Sequence, residues 1–221
     1  MEKFIIKIIR IIFSDIFLKY FPKIYYSINK IRFKFLNRPV LEKETTKARH
    51  RRMKQNFFEL YCNGNGLDIG YGGDALTKSC EGFDIEDGDA HYIKKVINNK
   101  YDFVYSSHLL EHLDDPAIAL KNWWKVVKKN GYLILYIPDR DLYEKKKNLP
   151  SRFSLDHKHY FTLDKDEQPC TLGLIPLIKN NLNNFKIISS EICSEGYTNS
   201  DPYVHSNGEY SIEIIVQKIH G

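Results

Sequence analysis

Cysteine is scarce in this chain and shows no pairing pattern: Cys62, Cys80, Cys170 and Cys193 are scattered, with no C-x-x-C among them. That spacing speaks against a zinc ribbon and reads as reduced thiols rather than a disulfide framework. Long apolar runs are missing too. The stretch KFIIKIIRIIFSDIFLKYF (residues 3–21) is broken by Lys7, Arg10 and Asp15, so it falls short of the roughly 20 uninterrupted residues of a transmembrane helix. It also has no small-residue cleavage site, which argues against a secretory signal. Internal repeats are absent. These absences point to a cytoplasmic chain of 221 residues, room for one domain with a full core and an appendage.

Acidic residues are scarce in one part only. Residues 1–54 hold 15 Lys+Arg against 4 Asp+Glu, a net of +11; the remainder holds 18 against 24, a net of −6, and the two sum to the +5 of the whole chain. The spacing predicts a basic amphipathic helical arm over 1–54, with Lys3, Lys7 and Arg10 on one flank and Ile5, Ile8, Ile9, Ile12, Ile16 and Tyr20 as an apolar stripe. Such a stripe suits the body of the protein, a homodimer partner, or peripheral contact with the inner membrane surface. A nucleic-acid role for TTKARHRRMK (Thr45–Lys54) has the least support, because no RNA- or DNA-binding module stands behind the charge. The body is expected over 55–221.

What the chain has in abundance is short strands ending in glycine or small polar turns. GLDIGYGGD (Gly66–Asp74) runs from a strand into a turn where Gly70, Gly72 and Gly73 remove side chains from the path of a ligand. By itself this turn would equally suit a nicotinamide or flavin site. A second strand, Glu81–Ile85, carries Asp84 and leads into Glu86–Ala90. YDFVYSSHLLEHLDDP (Tyr101–Pro116) reads as a strand, a polar turn at Ser107 and His108, and a helix start marked by Asp114, Asp115 and Pro116. The helix is expected over Ala117–Lys129, followed by a strand over Gly131–Pro138. A helix near 172–180, a strand near 185–192 and a final strand Glu209–Lys218 close the chain. Three strand ends then meet in one sheet, where a doubly wound fold takes its ligand.

Together these segments resemble the class I S-adenosylmethionine-dependent methyltransferases over roughly residues 60–218, most specifically over 66–138. The resemblance implies a Rossmann-like doubly wound α/β fold with a seven-stranded sheet, its last strand antiparallel, and S-adenosyl-L-methionine as cofactor. It places Asp68 near the cofactor's methionyl ammonium and lets Gly70 and Gly72 pass its sugar and amino-acid portions. Asp84, or Glu86 two residues on, would take the ribose hydroxyls, Asp89 and Ala90 would flank the adenine, and Ser107 and His108 would line the sulfonium end. Two departures stand out: Asp74 occupies the third glycine of the family pattern, and only Asp74–Cys80 precedes the second strand, where a full helix is usual.

On the acceptor side, Pro138–Thr162 is expected to form a substrate lid, with DHKHYF (Asp156–Phe161) similar to a His-aromatic element of glycan- and quinone-type relatives. His108, His157 and His159 are the candidates for a base that deprotonates a hydroxyl. Glu111 and His112 read as anchors of the following helix. No metal is expected, since no ligand set is visible beside the histidine pair. The implied function is methyl transfer to a hydroxyl or amine of a small molecule or a surface-glycan precursor, lipid-linked if the arm faces a membrane. The alternatives are a natural-product or quinone methyltransferase and a non-catalytic S-adenosylmethionine-binding scaffold. A nucleic-acid substrate is disfavoured, as no Asn-Pro-Pro-aromatic tetrapeptide follows the Tyr101 strand.

Overall fold

The computed structural model describes residues 43–219, so the stripe of the expected arm lies outside the described residues. Among the described residues eight strands are present: β1 (Gly66–Ile69), β2 (Cys80–Phe83), β3 (Tyr101–Ser107), β4 (Val127–Pro138), β5 (Tyr160–Thr162), β6 (Thr171–Gly173), β7 (Phe185–Cys193) and β8 (Ser211–Lys218). Six form the main sheet in the order β2-β1-β3-β4-β8-β7, and β5 pairs with β6 in a small parallel sheet. β8 runs antiparallel to both neighbours, while the β1, β2, β3 and β4 pairings are parallel.

Two expectations need correction. Seven strands were expected and the main sheet has six, because the segment after β2 folds into a 3-10 turn over Ala90–Lys95. Asp89 caps that turn, accepting the His91 N–H at 2.8 Å, and Ile93 docks in the core. The stretch Glu86–Lys100 offers no alternating apolar run with which to build another strand. The second correction concerns the basic run. The compact unit begins at Lys43, with helices α1 (Glu44–Lys47), α2 (Arg49–Lys54) and α3 (Phe57–Tyr61) preceding β1.

The shortened link after β1 explains why. With turns instead of a helix at Asp74–Ser79, one face of the sheet would be bare. Residues before β1 cover it: Ala48, Phe57 and Cys62 pack with Phe103, Tyr105, Ile134, Tyr136 and Ile215. Arg51 and Arg52, counted above with the arm's charge, are buried there against β8. Arg51 Nη1 donates to Glu213 Oε1 at 2.8 Å and its Nε to Glu209 at 3.0 Å. Arg52 Nε donates to Glu213 Oε2 at 2.7 Å, and its guanidinium lies 4.8–5.1 Å from the rings of Phe57, Tyr105 and Tyr136.

The opposite face follows the period-2 alternation of strands. Val104, Leu133, Leu135, Ile212, Ile214 and Val216 pack with Leu120 and Trp123 of α4 (Pro116–Val126) and with Leu174 and Ile178 of α5 (Leu174–Asn181). The start of α4 is as its sequence signals: the Asp115 carboxylate accepts the Ile118 N–H at 3.0 Å, with Pro116 in the first turn. Among the described residues no helix is long and apolar enough to cross a membrane.

Candidate functional site

The carboxyl ends of β1 and β2 carry the glycine turn. Gly70 has φ +74°, and a Cβ there would stand 2.9 Å from Leu109 Cδ2, so neither the conformation nor the space admits a larger residue. Gly72, at φ +54°, is different: a Cβ would meet nothing within 4 Å. The turn therefore faces open space on the side where a ligand would lie. Asp84, at the end of β2, accepts the Gly72 N–H at 3.0 Å through Oδ2 and the Ile85 N–H at 2.8 Å through Oδ1. Behind the turn, Asp68 is buried and accepts the Leu76 N–H at 2.8 Å. Burial pushes its carboxyl up to about 7, with Asp74 and Asp84 adding to the rise and Leu76 N–H and Arg52 opposing it. Two carboxylates flanking an open glycine turn fit a nucleoside with hydroxyls at one end and a cation at the other.

A strap from the chain before β1 lies over this turn. Lys43 Nζ donates to the Gly72 carbonyl, Thr46 Oγ1 donates to Asp74 Oδ2 at 3.0 Å, and Thr45 Oγ1 lies 3.3 Å from the Tyr105 hydroxyl.

Past β3 the chain enters a second region. His108 adopts φ +48°, uncommon for a residue with a Cβ. Its N–H donates to the Tyr136 carbonyl at 2.8 Å and its Nε2 lies 2.8 Å from Ser211 Oγ. Burial, helped by His157 and Lys47, holds its imidazole well below the ordinary histidine range. After β4 a single turn of π geometry, Arg140–Glu144, is capped by Asp139, which accepts the Asp141 and Leu142 N–H groups at 2.9 and 3.0 Å. This turn delivers Tyr143 and Glu144. Tyr143 stands 5.0 Å from Tyr210, 5.3 Å from His205 and 5.5 Å from His157, ring centre to ring centre. Tyr210 lies 5.8 Å from His108; its hydroxyl donates to Glu44 and accepts from Lys47 Nζ at 2.9 Å.

The structure gathers Asp68, Gly70, Gly72 and Asp84 around one turn, and His108 and His157 in one aromatic-lined cluster. Ser107 is half-buried at the end of β3, opposite Tyr136. Ala90 sits on the 3-10 turn, where its carbonyl accepts from Trp123 Nε1 at 2.8 Å. Asp89 spends its carboxylate on His91, and Glu86 is exposed. His159 is not brought into the cluster: its Nε2 lies 3.3 Å from the Asp114 carbonyl. The reading of the sequence missed Glu44, Lys47, Tyr143 and Glu144. None has a local signature, since each reaches the site through a fold-level contact. A depression lined by Asn65, Ser79, Glu81, Asn99, Lys100 and Tyr101 lies at the amino ends of the strands, away from both regions.

A family model described as "Methyltransferase domain" matches residues 39–167. No curated protein matches the sequence. Among solved structures, the fold is similar to N-methyltransferase NodS from Bradyrhizobium japonicum WM9 in complex with S-adenosyl-L-homocysteine. That likeness has a TM-score of 0.52 at 12% identity, covering 81% of this chain and 90% of that one. An S-adenosylmethionine-dependent methyltransferase from Clostridium acetobutylicum ATCC 824 matches with a TM-score of 0.46 at 14% identity, over 87% and 98% of the two chains. A further structure, described as that of a methyltransferase from Bacillus halodurans C-125, matches at 0.47 and 11% identity, over 75% and 98%.

Proposed function

The chain belongs to the class I S-adenosylmethionine-dependent methyltransferases, and from that premise we propose that it methylates a hydroxyl or amine of a small molecule or surface-glycan precursor. One observation carries this reading: Leu109 packs on Gly70 of the glycine turn, and the next residue back, His108, sets its imidazole among Tyr136, Tyr143 and Tyr210, where burial disfavours the protonated form. When bound, S-adenosylmethionine supplies an electrophilic methyl group and is left as the neutral thioether. The residues of this chain do the rest. Asp68 and Asp84 orient the nucleoside, the Tyr143 and Tyr210 rings exclude water, and His108 takes the proton of the acceptor, because a hydroxyl is a poor nucleophile until deprotonated.

Calorimetric titration with S-adenosylmethionine and S-adenosylhomocysteine, with NADH as control, tests the cofactor site. Release of S-adenosylhomocysteine in an acceptor screen then tests the acceptor. Turnover with glycan or lipid-linked glycan acceptors would support the reading, and turnover with apolar aromatic acceptors alone would replace it with the quinone or natural-product one. His108→Ala should lower turnover about 10²–10⁴-fold, the usual worth of a general base, with S-adenosylhomocysteine affinity nearly unchanged. Of His157 and His159, a comparable loss is expected of His157 only, because His159 turns to Asp114. Asp84→Ala should weaken S-adenosylhomocysteine by about 1.5–3 kcal/mol, the range for hydrogen bonds to a charged group. Unaltered affinity would move the ribose role to Glu86.

A further inference from the structure

Among the described residues two pairs of buried glutamates occur, and one of them is neutralised by arginine. Glu209 and Glu213 face Arg51 and Arg52. Glu111 and Glu144, equally buried, pair with no lysine or arginine among the described residues; their partners are histidines. Both carboxylate oxygens of Glu111 lack a hydrogen-bond partner. A buried carboxylate left in this way is costly unless it takes up a proton or a cation is supplied.

Three imidazoles converge on Glu111 Oε1: His108 Nδ1 at 3.8 Å, His112 Nε2 at 3.8 Å and His157 Nε2 at 3.9 Å. These separations are too long for hydrogen bonds. The far nitrogens of two of the rings are anchored by hydrogen bonds, His108 Nε2 with Ser211 Oγ at 2.8 Å and His157 Nδ1 with Glu144 at 2.6 Å, while His112 Nδ1 lies 3.0 Å from Asp156 without hydrogen-bond geometry. Anchoring one imidazole nitrogen on a carboxylate so that the other is presented inward is how metal-binding histidines are oriented. Donors 2.0–2.2 Å from a shared ion stand about 3.0–3.5 Å apart, so the ligand atoms would have to draw together by about 0.5–1.5 Å, within reach of side-chain rotation, to close the site. Ligand atoms of Glu111, His112 and His157 all lie within 4.8 Å of one another.

We propose that Glu111, His112 and His157 form a binding site for a divalent transition-metal cation. Two imidazoles and one carboxylate favour zinc, manganese or iron over magnesium or calcium, which prefer all-oxygen sets. Three protein ligands leave an open position. His108 Nδ1, not among these three ligands, also lies 3.8 Å from Glu111 Oε1. An acceptor hydroxyl completing the coordination would sit beside His108, and a metal-bound oxygen loses its proton more easily. This role, though not the site itself, rests on the methyl-transfer reading above.

The test is calorimetric titration of the full chain, stripped with a chelator, with zinc, manganese and magnesium chlorides, and cobalt(II) chloride followed by its visible absorption. One zinc or manganese ion per chain is expected, with magnesium at least about 100-fold weaker. Glu111→Gln and the half-buried His112→Ala should each lower affinity about 100-fold, and His50→Ala, an exposed histidine, should not. Circular dichroism and S-adenosylhomocysteine binding of the variants show that they fold. Absence of stoichiometric binding, or binding undiminished in both variants, overturns the site. If S-adenosylhomocysteine binds and no metal does, the methyl-transfer reading survives alone. If metal binds and no sulfur nucleotide does, the site stands and the reading beneath its role falls.

Discussion

Arg52→Leu is expected to destabilise the fold by about 3–5 kcal/mol, the cost of removing one partner from a buried ion pair. The arginine is fully buried, its guanidinium bonded to Glu213 Oε2 and to the Tyr105 hydroxyl. Without it, Glu213 on β8 keeps only Arg51, which is already shared with Glu209 and Glu191. The lost stacking on Phe57, Tyr105 and Tyr136 adds to the penalty. Urea unfolding followed by tryptophan fluorescence measures the effect, since Trp123 and Trp124 are buried in the core. The double variant Arg52→Leu with Glu213→Leu should recover much of the loss, because a matched apolar pair replaces the orphaned charge. If the single variant unfolds at the same urea concentration as the unsubstituted chain, the helices before β1 contribute nothing through this pair. The tie would then have to be Arg51 with the apolar packing of Ala48, Phe57 and Cys62.

The same arginines show where the sequence could be read and where it could not. Strands β1, β3, β4 and the antiparallel β8 are legible because each is a short apolar or alternating run bounded by turn residues. The glycine turn is legible because backbone freedom has a residue-type signature. By contrast, Arg51 and Arg52 look like surface charge in TTKARHRRMK, since burial of a charged side chain depends on a partner more than 150 residues away. One signal did exist. Glu213 stands on β8 between Ile212 and Ile214, with Glu209 just before that strand, so these carboxylates needed cations from somewhere. The shortfall of one strand in the main sheet follows from the polar stretch after β2, which has no second alternating run. Tyr143 and Glu144 had no signal, because one turn of π geometry decides where they point.

Cofactor affinity is expected to rise about tenfold per pH unit between pH 5 and 7 and then level off. The cause is Asp68, whose carboxyl is pushed up to about 7 from 3.8 by burial, with Asp74 and Asp84 raising it further against Leu76 N–H and Arg52. The sign follows from linkage. Between about 3.8 and 7 the folded chain holds a proton on Asp68 that the unfolded chain has released, so this group's contribution to stability declines as pH rises through that window. A cation placed beside Asp68 reverses the preference, because it favours the carboxylate. With the cofactor's ammonium beside Asp68, as the proposed site has it, binding below pH 7 would expel a proton, which gives the tenfold dependence. Calorimetry at pH 6 in two buffers of different ionisation enthalpy counts that proton directly; close to one is expected. Asp68→Asn should bind more weakly and release none, with affinity flat across the range. Proton release undiminished in Asp68→Asn would assign the titration to another group and remove Asp68 from the ammonium. Arg52 offers an independent check: its positive charge holds the Asp68 carboxyl down, so Arg52→Leu, where it still folds, should shift the levelling-off point to higher pH.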